Sequence, residues 1–168
     1  MKKAEELKIM AVGLGACKEG LDGWSQAPTD DELITRYVEH IKFCIKHDFP
    51  RVEYIKAHFS RDALHKNGVF VDEKIKKTPT LRCVANGRCS GKIEFERRDV
   101  QSLHVCHDSV VEVCAKDNSI VFVYIYENAK VMATAIDKAK ICVFYFGGEI
   151  TKADGNVVIR DCRKGEVG

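Results

Sequence analysis

The residues best equipped for chemistry in this chain are His104-Val105-Cys106-His107, with Cys83, Cys89 and Cys114 in the surrounding sequence. On a strand, His104 and Cys106 point to the same side. Strands stacked in a coil would bring Cys89 or Cys114 nearer, and imidazole and thiolate are zinc ligands. The spacing argues against a metal. Five residues separate Cys83 from Cys89, whereas structural zinc sites use a short paired chelate whose two close thiolates begin the tetrahedron. We expect no metal and no cofactor.

Catalytic sets fare no better. His40, His47, His58 and His65 fall on or near helical stretches at spacings that mainly alternate faces, and no nucleophile pairs with any of them. Gly13-Leu14-Gly15 and Gly147-Gly148 lack the Lys-Ser/Thr that completes a phosphate loop. Arg97-Arg98 and Arg160-Asp161-Cys162-Arg163-Lys164 read as solvated turns and a tail. With no acid, base and nucleophile in one arrangement, no catalytic residue is assigned, and the expectation is a non-enzymatic protein.

Composition sets the same bounds. The chain has 168 residues, 45% of them hydrophobic and 31% charged, as in a soluble globular protein. A net charge of +2 supplies no long-range field for a polyanion, so nucleic acid is not an expected partner. Glu5-Glu6 interrupts what would have to be the apolar stretch of a secretory signal, and no segment has the apolar length of a membrane span. The expected setting is cytoplasmic, with no membrane partner. The eight cysteines are scattered, several inside Val- and Ile-rich runs, and are expected to be reduced thiols that pack as small hydrophobes.

The elements that would position these side chains divide the chain in two. Residues 1–78 read as a helical module. Leu7, Met10, Ala11 and Leu14 recur at helical spacing. Thr29-Asp30-Asp31-Glu32 is a capping box ahead of a broad apolar stripe, Leu33, Tyr37, Ile41, Cys44 and Ile45, that predicts one helix to about His47. Pro50 suits the first position of the next helix, Ser60 can cap another, and Asn67-Gly68 can close it. Val69-Phe70-Val71 looks like a strand, and Lys74 to Pro79 like a linker.

From residue 79 to 168 the pattern is a repeat of ten. The triplets His107-Asp108-Ser109, Asp117-Asn118-Ser119, Glu127-Asn128-Ala129 and Asp137-Lys138-Ala139 each precede a β-type run. Aligning the turns puts Ile93, Leu103, Val111, Val121, Val131 and Ile141 in one apolar column. Phe95, Val105, Val113, Val123, Ala133 and Val143 fill a second, with a shortened corner between Leu103 and Val111. Both columns point inward, and the small residue after each turn fits a tight corner. The expected fold is therefore α+β, the helical module followed by a short, right-handed parallel β-solenoid with about ten residues per strand-and-corner.

Ten residues cannot circle a core alone, so two repeats per turn are expected. Strands twenty residues apart then share a face. One face carries Phe122, Tyr124 and Tyr126 beside Cys142, Phe144 and Phe146; the other carries the mixed set Glu112, Cys114, Lys116, Met132, Thr134 and Ile136. The aromatic strip of Phe122, Tyr124, Tyr126, Phe144 and Phe146 is the candidate binding or interface site. Such a strip in water calls for a cover: the helices, a subunit contact or a ligand.

The Asp-Asn-Ser and Glu-Asn-Ala turns followed by apolar-x-apolar strands resemble the "Asp-Asn-Ala-x-Val-x-Ala" repeats of uncharacterised bacterial and phage proteins. Leu14-Gly15-Ala16-Cys17-Lys18-Glu19-Gly20-Leu21, Trp24 and Phe43-Cys44-Ile45-Lys46-His47-Asp48-Phe49-Pro50 are similar to a helical module in hypothetical proteins of gut Bacteroidetes and their mobile elements. The resemblance implies a bacterial or prophage setting and carries over no site. The functional expectation is a solenoid scaffold for self-association or for binding a protein partner. The alternative is a carbohydrate-binding or glycan-active solenoid that uses the aromatic strip on a glycan.

Overall fold

The computed structural model describes residues 2–76, 81–96 and 98–163. The chain forms two compact units, Met1–Asn67 and Gly68–Gly168. The boundary expected at 78/79, the end of the Lys74 to Pro79 segment, Arg97 and Lys164 lie outside the described residues.

The first unit holds helices α1 (Lys3–Gly13), α2 (Lys18–Leu21), α3 (Asp30–Glu39), α4 (Ile41–Lys46), α5 (Val52–His58) and α6 (Arg61–Lys66). The α3 capping box forms as its sequence requires: the Glu32 amide donates to Thr29 Oγ1 at 3.3 Å, and the Thr29 amide donates to Glu32 Oε2 at 2.7 Å. The single helix expected up to His47 is instead bent at His40, whose φ of −108° separates α3 from α4 while the flanking helical hydrogen bonds persist. Nothing in the side chains of that run explains the bend. Phe49–Pro50 is a cis peptide, and α5 starts at Val52 rather than at Pro50.

Polar ties join the helices. Lys3 Nζ donates to Asp30 and to the His58 carbonyl, and the Tyr54 hydroxyl donates to Glu6 at 3.1 Å. Asp31 pairs with Lys66 and accepts from Asn67, which holds its carboxyl below the usual range. Leu7, Ala11, Leu33, Ile34, Ile41, Cys44, Ile55, Phe59 and Leu64 are the unit's buried core.

The second unit is a parallel β-solenoid. Its strands are β1 (Val69–Val71), β2 (Lys74–Ile75), β3 (Arg82–Asn86), β4 (Ser90–Phe95), β5 (Val100–Val105), β6 (Val110–Ala115), β7 (Ile120–Ile125), β8 (Lys130–Ala135), β9 (Lys140–Tyr145), β10 (Glu149–Asp154) and β11 (Val157–Asp161). Odd strands stack as one sheet, β1-β3-β5-β7-β9-β11, and even strands as the other, β10-β8-β6-β4-β2. Every pairing is parallel, and from β4 to β9 partners lie twenty residues apart, as two repeats per turn demand.

The inward columns differ from the sequence alignment. The period stays at ten from Val100 to Tyr145, with no shortened corner, and each strand has three inward positions rather than two. Gln101, Val121 and Ile141 are in register, as are Leu103, Val123 and Val143, and Val105, Ile125 and Tyr145. Leu103 therefore belongs two places along from where alignment with Val111 set it, and Ile93 likewise pairs with Val113. A slip of two residues preserves the strand's facing, so alternation alone cannot detect it.

The corners explain the repeat's polar letters. His107, Asp117, Glu127 and Asp137 adopt left-handed φ values of 54–56°, a region in which Asp and His are enriched and Glu is not. Behind each, Ser109, Ser119, Ala129 and Ala139 turn inward and are almost wholly buried. The Ser109 hydroxyl accepts from the Cys89 amide at 3.1 Å and donates to the Gly87 carbonyl at 3.0 Å, which stitches one turn to the next. At Gly147-Gly148 the coil has no room for a side chain: a Cβ on Gly148, at φ +71°, would stand 2.2 Å from the Ala129 carbonyl oxygen.

Candidate functional site

The aromatic strip forms from the register itself. Parallel strands lie about 4.8 Å apart, within the roughly 4.5–7 Å between centroids of aromatic pairs, so outward rings twenty residues apart can stack. Tyr124 and Phe144 stack with centroids 5.3 Å apart and planes 16° from parallel; Tyr126 and Phe146 stack at 5.3 Å and 6°. Phe122 is tilted against Phe144 at 6.1 Å, because its own partner in register is Cys142. Phe122, Tyr124, Phe144 and Phe146 are half-buried, and Tyr126 is buried. Burial also raises the Tyr124 phenol above its ordinary pKa.

His104 is the member that the sequence reading did not include. It lies twenty residues before Tyr124, stacks on it at 4.6 Å, and its Nδ1 is 3.1 Å from the Tyr126 hydroxyl. The His/Cys cluster weighed as a metal site is thereby dispersed. Cys83 points into the core, Cys89 sits at an inner corner bonded to the Asn86 carbonyl, and Cys114 lies on the other sheet. Among the described residues no three His, Cys, Asp or Glu side chains are grouped to hold a metal ion.

This ladder covers ring faces with ring faces. A sugar stacks on an open aromatic face, whereas here the faces of Tyr124 meet His104 and Phe144, and Tyr126 meets Phe146. The opposite sheet is mixed as expected: Glu112 is in register with Met132 and Cys114 with Thr134, while Lys116 pairs with Glu94 at 3.3 Å.

The remaining sequence candidates have structural partners. His47 packs on Phe43 at 4.6 Å, and His58 stacks on Tyr54 at 3.9 Å. Arg163 forms a forked pair with Asp161, at 2.7 and 3.0 Å, and lies over the Tyr145 ring. All eight cysteines are free thiols. Burial pushes the Cys44 thiol up to about 12 and the Cys89 thiol to about 11, which keeps both protonated and unreactive.

A second site lies wholly within the helical unit and escaped the sequence reading. It is a cavity of about 200 Å³ walled by Leu7, Ala11, Leu33, Tyr37, Phe43 and Phe49, with Cys17, Trp24, Arg36 and His40 also on its surface. Arg36 Nη2 donates to the Asp22 carbonyl at 2.9 Å and Nη1 to the Gly20 carbonyl at 3.4 Å, while Trp24 Nε1 donates to Gly20 at 3.0 Å. Cys17, Gly20 and Trp24, with Phe43, Cys44, Phe49 and Pro50, belong to the two stretches whose sequence is similar to a helical module. Their signal was visible, but the wall they share with α3 was not.

No family model matches the chain, and no curated protein and no solved structure is similar to it. Fold and sites alone define its class: an α+β protein that joins a helical unit to a parallel β-solenoid. No helix among the described residues is long and apolar enough to cross a membrane.

Proposed function

We propose that this protein is a non-enzymatic scaffold whose solenoid associates with a protein partner, most directly with a second copy of the same coil at its C-terminal end. The observation that carries the reading is Ile159. In the inward column Leu103, Val123 and Val143 are wholly buried, yet Ile159, the next in register, is 45% exposed. Strand β10 is exposed at five of its six residues and β11 at four of five. Among the described residues, the layer formed by β10 and β11 leaves a core position uncovered and two strands with an open edge, which offer main-chain groups and apolar surface to another strand.

The glycan alternative has less support, since mutual stacking occupies the ring faces that a sugar would use. Nucleic-acid binding would need cations beside the rings, and Lys130, Lys138 and Lys140 are a thin supply. The free thiols fit a reducing, cytoplasmic setting. A bacterial or prophage origin rests on the repeat and helical-module resemblance alone.

Light scattering over a concentration series tests the association. Mass should rise with concentration, and Ile159→Lys should hold the protein monomeric with its circular dichroism unchanged. A strict monomer at high concentration for the unmodified chain would refute self-association.

A further inference from the structure

We propose that the helical unit binds a small carboxylate with an apolar body, in the cavity beneath α3. The walls are aliphatic and aromatic, with Leu7 and Ala11 from α1, Leu33 and Tyr37 from α3, and Phe43 from α4. A space of about 200 Å³ holds roughly seven waters at their liquid volume. That suits a ligand of roughly seven to ten non-hydrogen atoms.

Charge selects the ligand class. Arg36 on α3 and His40, just past its last residue, lie four residues apart, and both line the cavity with Leu33. Arg36 bonds only backbone carbonyls and lies over the Trp24 ring at 5.7 Å; among the described residues no carboxylate pairs with it. A guanidinium on an apolar wall without a counter-ion favours an anion beside it, and a carboxylate can accept from the N–H groups that the Gly20 and Asp22 carbonyls leave unused. The Cys17 thiol and the His40 ring both come within 4.0 Å of the space over Gly20, which marks the rim of the same cavity. Trp24, the only tryptophan, lines it.

That tryptophan makes the site self-reporting. Titrating the full chain with phenylacetate should change Trp24 emission saturably, while the uncharged phenylacetamide should bind at least tenfold more weakly. Arg36→Gln should bring the acid to the level of the amide. Because Arg36 also holds the Gly20 and Asp22 carbonyls, Arg36→Lys is the companion: it keeps the charge and should keep a preference for the acid. Ala11→Phe should fill the cavity and abolish the response to both probes. Bound acid should also slow alkylation of Cys17 severalfold and leave Cys162 unaffected. Equal affinity for acid and amide, or no saturable response to either up to millimolar concentration in the folded protein, would overturn the proposal.

Discussion

The imidazole of His104 lies on the ring of Tyr124 with centroids 4.6 Å apart and planes 8° from parallel, although twenty residues separate the two. The pairing extends to Phe144, so three turns of the coil are joined through side chains outside the core as well as through the backbone. Stacked pairs of this kind contribute about 0.5–1.5 kcal/mol beyond the area they bury. A double-mutant cycle of His104→Ala and Tyr124→Ala, read by denaturant unfolding, should show a coupling in that range. Strict additivity would mean that the ladder is only a consequence of the register.

Like Gly155, where a Cβ would stand 1.9 Å from the Ala135 carbonyl oxygen, Gly148 should be among the least replaceable residues of the last turns. Its left-handed φ and the 2.2 Å approach of a would-be Cβ to the Ala129 carbonyl oxygen leave the backbone nowhere to move. Gly148→Ala should cost about 2 kcal/mol or more. Hydrogen exchange should show the loss concentrated in β10 and β11, the strands beyond it.

Gln101 is an inward-facing amide in the column of Val121 and Ile141, 2% exposed, and its Oε1 has no hydrogen-bond partner among the described residues. A buried acceptor left unsatisfied costs about 1–3 kcal/mol. Gln101→Leu, close in volume, should therefore raise stability by roughly 1 kcal/mol, measured as a higher midpoint in urea. A lower midpoint would show that the amide has a role in the interior.

Thiol chemistry should sort the cysteines by position. In native protein at pH 8, alkylation should reach exposed Cys17 first and leave Cys44 and Cys89 unmodified until unfolding. The same two thiols predict a dependence on pH. Burial raises their folded pKa from the ordinary 9.0 to about 12 and about 11, so between those values the unfolded chain binds fewer protons than the folded one. Their contribution to stability is complete below pH 9 and is lost as pH rises toward 11 and 12. Cys44→Ala and Cys89→Ala should each flatten the alkaline fall in melting temperature.

Much of this molecule is legible in the letters of the chain. The corner triplets, the small inward residue after each and the two-repeat turn all follow from a strict period, because one conformation is reused at each stack. The differences have local causes. Parity cannot tell one inward position from the next, so it leaves Leu103 free to slip by two, and the place of His104 in the ring stack follows only from its register with Tyr124. The helical cavity shows the other limit: Cys17, Trp24 and Arg36 meet through the fold of a short loop, and no spacing in sequence encodes that meeting.

The uniform corners have a further consequence for how such a coil can change. Val110 and Lys130 occupy equivalent points one full turn apart, with matching neighbours above and below. A second copy of residues 110–129 spliced after Ala129 would begin and end in register, add one layer to the core and extend the ring ladder by one rung. Length in this protein is thus a countable quantity, open to growth or loss by whole turns while the pairing at either end stays as it is.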